Sequence, residues 1–174
     1  MNEKDQEILY PTIQPGKEMT TDLKENLSIM KDILSPDVSY DIVYRVIKIG
    51  GRDACLFFVD GFCKDEMMQK ILQYLIGLKP EDVPSNAHSM SKGFMPTVEV
   101  DLGRTWDEIV TALLSGQSIL FIDGLERCLL IDSRTYPARS VSEPEKEKAL
   151  RGSRDGFVET IVFNTALVRR RIRS

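Results

Sequence analysis

Two aspartates close apolar runs in this sequence. Asp60 follows Leu56-Phe57-Phe58-Val59, and Asp123 follows Leu120-Phe121-Ile122. Apolar residues ending in Asp describe the Mg²⁺-binding strand of P-loop enzymes. The chain, however, has no Gly-x-x-x-x-Gly-Lys-Ser/Thr to cradle a phosphate. Each aspartate is followed by glycine, so both read as turn formers closing two central strands with the same chemistry. His88 is the single histidine and stands in a polar stretch. Neither a Ser-His-Asp nor a Cys-His arrangement is suggested around it, so it reads as solvated. Cys55 and Cys128 fall inside apolar runs and read as packing residues. Cys63 stands at a helix start, where a thiol pKa can fall, yet no base accompanies it, and a structural thiol is the simpler reading. No ligand cluster with metal spacing is found, and no cofactor is indicated.

The arginines are the more distinctive group. Arg151-Gly152-Ser153-Arg154-Asp155-Gly156 is a turn crowded with charge. It precedes a helical pattern in Phe157, Val158, Ile161, Val162, Thr165 and Val168. The free N–H groups of a helix start attract anions, so Arg151 and Arg154, with Arg139 upstream, form a candidate anion-binding or interface site for a phosphate or carboxylate. The competing reading is structural. Glu143, Glu145, Glu147, Asp155 and Glu159 lie within reach, and bidentate Arg–carboxylate pairs suit a joint; this reading is favoured. The closing Arg169-Arg170-Arg171-Ile172-Arg173 run has two readings, attraction to an anionic membrane face or a water-solvated helix end favoured by the dipole.

The elements that position these residues follow from periodicity. Residues 1–19 are polar, aperiodic and carry Pro11 and Pro15, which reads as a flexible N-terminal arm. Leu23, Leu27, Met30 and Leu34 predict a helix over 20–34. Residues 40–49 alternate, Gly50-Gly51 turns, and 54–59 is a buried strand, which together predict a hairpin. A helix follows over 64–76, with Gly77 as its C-cap. The irregular stretch 78–95 is long for a loop and has room for a short helix. A strand over 97–102 leads to Thr105-Trp106-Asp107-Glu108, which matches a capping box. The helix it opens stops at Gly116. Residues 118–122, the Asp123-Gly124 turn and 127–131 form the strongest hairpin signal. Leu72, Leu75, Phe58, Leu120 and Ile122 are expected in one core. The expected fold is α/β, with α+β as the alternative: a mixed sheet with flanking helices over 20–135, an extended linker over 136–156 broken by Pro137 and Pro144, and a helix over 157–174.

The chain has 174 residues, 42% of them hydrophobic, enough for one core. A net charge of −4 argues against nucleic acid as the main partner. No run approaches the roughly 18–20 apolar residues of a membrane helix, and the N-terminus lacks the apolar stretch of a signal peptide. Three cysteines without a Cys-x-x-Cys pair fit a reducing compartment. By itself the chain reads as a soluble intracellular domain.

The ordered motif Tyr136-Pro137-Ala138-Arg139, Glu143-Pro144 and Arg151 to Glu159, ending in Leu167-Val168-Arg169-Arg170-Arg171-Ile172, resembles the linker of the GerA family. These are the A subunits of bacterial spore germinant receptors. The strand-and-turn segments at 54–62 and 118–139 resemble the same family. The resemblance implies a cytosolic N-terminal region of two α/β halves, of which this chain holds the first and the start of the second, with a membrane region elsewhere. It further implies partnership with B and C subunits at the cytosolic face of the spore inner membrane, with other A subunits as a further candidate partner. A non-enzymatic signalling or assembly role is expected, with a small-ligand or anion-binding module at Arg151 and Arg154 as the alternative. Purified protein is therefore expected to show no hydrolase, kinase or redox activity. Nucleotide hydrolysis that disappears in Asp123→Asn would overturn this expectation.

Overall fold

The computed structural model describes residues 16–63, 65–93, 98–134 and 161–172. Helix α1 spans Leu23–Leu34, strand β1 Ile42–Ile49 and strand β2 Arg52–Val59. Helix α2 spans Asp65–Gly77, and a short helix α3 spans Ala87–Lys92 after a single 3-10 turn at Pro80–Asp82. Strand β3 is Val100–Gly103, helix α4 Trp106–Leu114, strands β4 and β5 Ser118–Ile122 and Cys128–Ile131, and helix α5 Ile161–Ile172.

The five strands form one sheet in the order β1-β2-β4-β5-β3. Every ladder between them is antiparallel. The α+β alternative is thus the one realised, where a mixed sheet was expected. The two hairpins set this sense. β1–β2 turns at Gly50-Gly51, both at positive φ (52° and 82°), as the favoured two-residue hairpin loop requires. β4 pairs with β2 and β5 with β4, so each added strand runs against its neighbour.

Period-2 alternation distributes the core. Cys55, Phe57 and Val59 of β2, Ile119 and Phe121 of β4, and Cys128 and Leu130 of β5 face one way, under α1 and α4. Ala54, Leu56, Leu120, Ile122, Leu129 and Ile131 face the other way, under α2 and α3. Both faces are covered, so β4 and β5 are buried at every position. Leu75, Leu120 and Ile122 are buried together, with Phe58 and Leu72 packed against them, as the sequence predicts. The α2 stripe is narrower than its sequence pattern: Met68, Ile71 and Leu75 are buried, whereas Ile76 is exposed.

Several local expectations are corrected. Gly77 is the last residue of α2 and does not adopt positive φ, so it is no left-handed cap. The Thr105–Glu108 capping box is not formed. Thr105 makes no side-chain cap bond, and Glu108 accepts instead from the Arg104 N–H at 3.1 Å. Residues 16–19, which the sequence assigns to the flexible arm, belong to the fold. They lie along the start of α4: the Lys17 carbonyl accepts from the Trp106 N–H at 2.9 Å, and the Met19 N–H donates to the Arg104 carbonyl at 2.8 Å. The incoming backbone thus satisfies the first free N–H of α4, a donor that a capping box does not serve. Met19 is buried as a result.

Asp123 behaves as a turn residue with a second task. Its carboxylate accepts from the Leu23 N–H at 3.1 Å, while the Asp22 carboxylate accepts from the Lys24 N–H at 2.7 Å. The β4–β5 turn therefore helps cap α1. Leu75, fully buried under the sheet, supplies the test of this packing. Leu75→Ala is expected to cost about 2–5 kcal/mol in chemical denaturation. A loss under about 0.5 kcal/mol, typical of a surface site, would place α2 on the wrong face.

Candidate functional site

The sequence-predicted arginines Arg139, Arg151 and Arg154 lie outside the described residues, as does the linker that carries them. The structure draws attention instead to where α5 meets the sheet. Asp41 stands just before β1, with its carbonyl accepting from the Asp60 N–H at 2.8 Å. This ties the start of β1 to the end of β2. The Asp41 side chain is almost fully buried (6% exposed), and Arg169 of α5 meets it with a side chain 17% exposed. The guanidinium donates from both Nε and Nη2, the latter to Oδ1 at 2.7 Å. This two-pronged geometry is the strong form of an Arg–carboxylate pair.

Two further contacts complete the joint. The Tyr40 hydroxyl hydrogen-bonds the Thr165 hydroxyl, and Thr165 also donates to the Ile161 carbonyl at 2.8 Å. Gly61, at φ +84°, faces α5 so closely that a Cβ there would stand 2.9 Å from Val162 Cγ1 and 3.2 Å from the Val162 carbonyl oxygen. Ala166, one turn later, is buried (1% exposed) within the core that α1 and α4 share. Val162, Ala166 and Arg169 recur at four and three, one face of a helix. The expectation from sequence is a C-terminal helix that projects and frays, or pairs with a copy of itself. The structure has it docked against the start of β1 and the turn after β2. An apolar stripe of Ile161, Val168 and Ile172 does stay exposed beside the docked face.

A cleft of about 690 Å³ opens next to the joint, between β1, β2 and α2. Val43, Phe58, Leu72 and Ile76 give it apolar walls, and Arg45 and Asp60 give it opposite charges. Cys63 also lines it. Burial raises the Cys63 thiol above its ordinary pKa, in keeping with the structural reading rather than with the lowering that a helix start can bring. Burial also pushes Cys55 up to about 12 and raises Cys128. None of the three is poised as a thiolate nucleophile near neutral pH. His88 is exposed on α3. Among the described residues, no group of three or more His, Cys, Asp or Glu is placed to hold a metal ion. No helix among them is long and apolar enough to cross a membrane.

Sequence reasoning missed the Asp41–Arg169 pair. Its members lie 128 positions apart, and several acids and arginines compete for the assignment. One usable signal was Ala166, a small residue three positions before an arginine run, since it marks the face on which that helix can approach a neighbour closely.

The described residues thus form a two-sided antiparallel α+β domain with α5 held against the corner of its sheet through a polar joint. Comparison with known proteins gives this class its family. Residues 28–174 match the family described as Bacillus/Clostridium GerA spore germination protein, and the chain belongs to it. The sequence is 34% identical to stage V sporulation protein AF of Bacillus subtilis over 86% of this chain and 30% of that protein. It is 31% identical to spore germination protein B1 of the same organism over 88% of this chain and 32% of the relative. The fold is similar to the crystal structure of the N-terminal domain of the A subunit of the Bacillus megaterium spore germinant receptor GerK3. That likeness has a TM-score of 0.67 and 25% identity, covering 94% of this chain and 58% of that one. The chain spans about a third of the length of the curated relatives it matches.

Gly61 tests the joint. Gly61→Ala is expected to lower stability by more than about 1 kcal/mol in chemical denaturation, because the position combines positive φ with close approach. Val162→Ala in the same background is expected to recover part of that loss. Unchanged stability in Gly61→Ala would mean that α5 does not sit against this turn.

Proposed function

We propose that this chain is a non-enzymatic signalling and assembly domain of a germinant receptor A subunit, acting in nutrient-triggered spore germination. The observation that carries the proposal is the docked α5. The family match runs through this helix, and the helix is anchored to the first half through Asp41 and Arg169. A shift of the domain is thereby felt at α5 and passed to whatever that helix leads into. Exposed Ile161, Val168 and Ile172 support the same reading, since they leave α5 an apolar face for a further packing partner. The domain works at the cytosolic face of the spore inner membrane with the receptor's B and C subunits. Its contribution is to organise or relay rather than to transform a substrate.

The test is made in spores. A tagged form of the gene product is expected to co-purify with B and C subunits from the inner-membrane fraction. Recovery of the product free of both subunits would overturn the assignment. A thermal-shift panel of phosphates, amino acids and nucleotides on the purified chain is expected to leave Tm unchanged. A saturable rise with one of them would favour the ligand-binding alternative.

A further inference from the structure

We propose that α5 is a releasable clasp locked in one register, and that Asp41, Arg169 and Ala166 together set that register. Among the contacts described above, the docking face comprises Val162, Ala166, Arg169 and the Thr165 hydroxyl. The helix has 12 residues. Isolated helices shorter than about 12–15 residues are poorly populated in water. Its fold therefore depends on this contact. The contact offers little apolar area, because Ile161, Val168 and Ile172 stay exposed to solvent. Its centre is an ion pair taken out of water, and such pairs gain little net energy while penalising every arrangement that leaves one charge unpartnered. The result is a joint specific in geometry and modest in strength, which is what a reversible clasp needs.

The register argument comes from the sequence around Arg169. Arg170, Arg171 and Arg173 follow it in the sequence, and each carries the charge that Asp41 requires. Only Arg169 follows the buried Ala166 by three positions. Sliding α5 by one turn to bring Arg173 to Asp41 would drive Arg170 into the slot that Ala166 fills. Sliding it the other way would set Thr165 against a buried carboxylate and Val162 in the alanine slot. Rotating the helix to present Arg170 or Arg171 would lift Ala166 out of the core. The arginine run therefore has one productive alignment, selected by the small residue and by the fork of the pair.

Hydrogen exchange on the 174-residue chain tests this without any receptor component. The germination role of the clasp rests on the preceding functional reading, whereas its existence does not, so the two fail independently. Arg169→Gln and Asp41→Asn are each expected to raise the exchange rate of the α5 amides about tenfold or more, with β4 amides unchanged as the internal control. Arg169→Lys, which keeps the charge and loses the fork, is expected to fall between. The exchange Asp41→Arg with Arg169→Asp is expected to restore part of the protection. Unchanged α5 protection in Arg169→Gln would overturn the proposal, because a neighbouring arginine would then have taken over. Loss of β4 protection in parallel with α5 would also overturn it, since the pair would then hold the whole fold. If Asp41→Asn fails to fold, the two Arg169 variants decide.

Discussion

β2, β4 and β5 carry apolar side chains on both faces, so the sheet has no wet side and must be covered twice. Everything else in the domain answers to that constraint. α1 and α4 close one face, and α2 and α3 close the other. The edge strands β1 and β3 are where the cover thins. β1 exposes Arg45 and Val46, and the cleft against α2 opens along it. α5 meets the sheet at this thin side, at the corner where β1 begins and β2 ends. The joint is consequently polar at its centre and apolar only where Gly61 lets two small side chains come close.

That distribution bears on how α5 can move. A helix held by a broad apolar face would be part of the core and would move only when the domain unfolds. A helix held by one fork-shaped ion pair, a hydroxyl contact and an alanine can leave while the sheet stays intact. Membership of the GerA family supplies the setting, spore germination, and the likeness to the GerK3 A-subunit domain supplies the fold. Neither comparison assigns a task to Asp41 or Arg169; that comes from burial and geometry.

Much of the fold was legible in the sequence, for reasons that are local. Apolar runs in 118–122 and 127–131 with Asp123-Gly124 between them specify a hairpin, and Gly50-Gly51 specifies another. The helices showed in their apolar stripes. What was not legible is what sequence-distant segments do to one another. The residues at Thr105 could form a capping box, but the Glu108 carboxylate turns to the Arg104 N–H, and the distant Lys17 carbonyl joins the helix start at Trp106. Cys63 occupies a position that often lowers a thiol pKa, yet burial there outweighs the helix start. The candidate site was read from the density of arginines at 151 and 154, which lie outside the described residues. The arginine that the structure pairs stands further on, in a run whose sequence suits a solvated or membrane-facing helix end.

The carboxylate of Asp123 reaches back across 100 positions to the first amide of α1. The Gly124 N–H in the same turn donates to the Thr21 carbonyl at 2.9 Å. A chain made from its N-terminus thus releases α1 long before the turn that finishes it exists. During synthesis α1 has its own Asp22 cap but neither its second cap nor the sheet face it covers. Long-range closure of this kind slows folding, because loop entropy is lost before contacts reward it. The domain's commitment to its native arrangement therefore waits on the β4–β5 hairpin. Up to that point Leu23, Met30 and Leu34 are apolar surface in search of cover, which is the condition under which nascent chains engage chaperones.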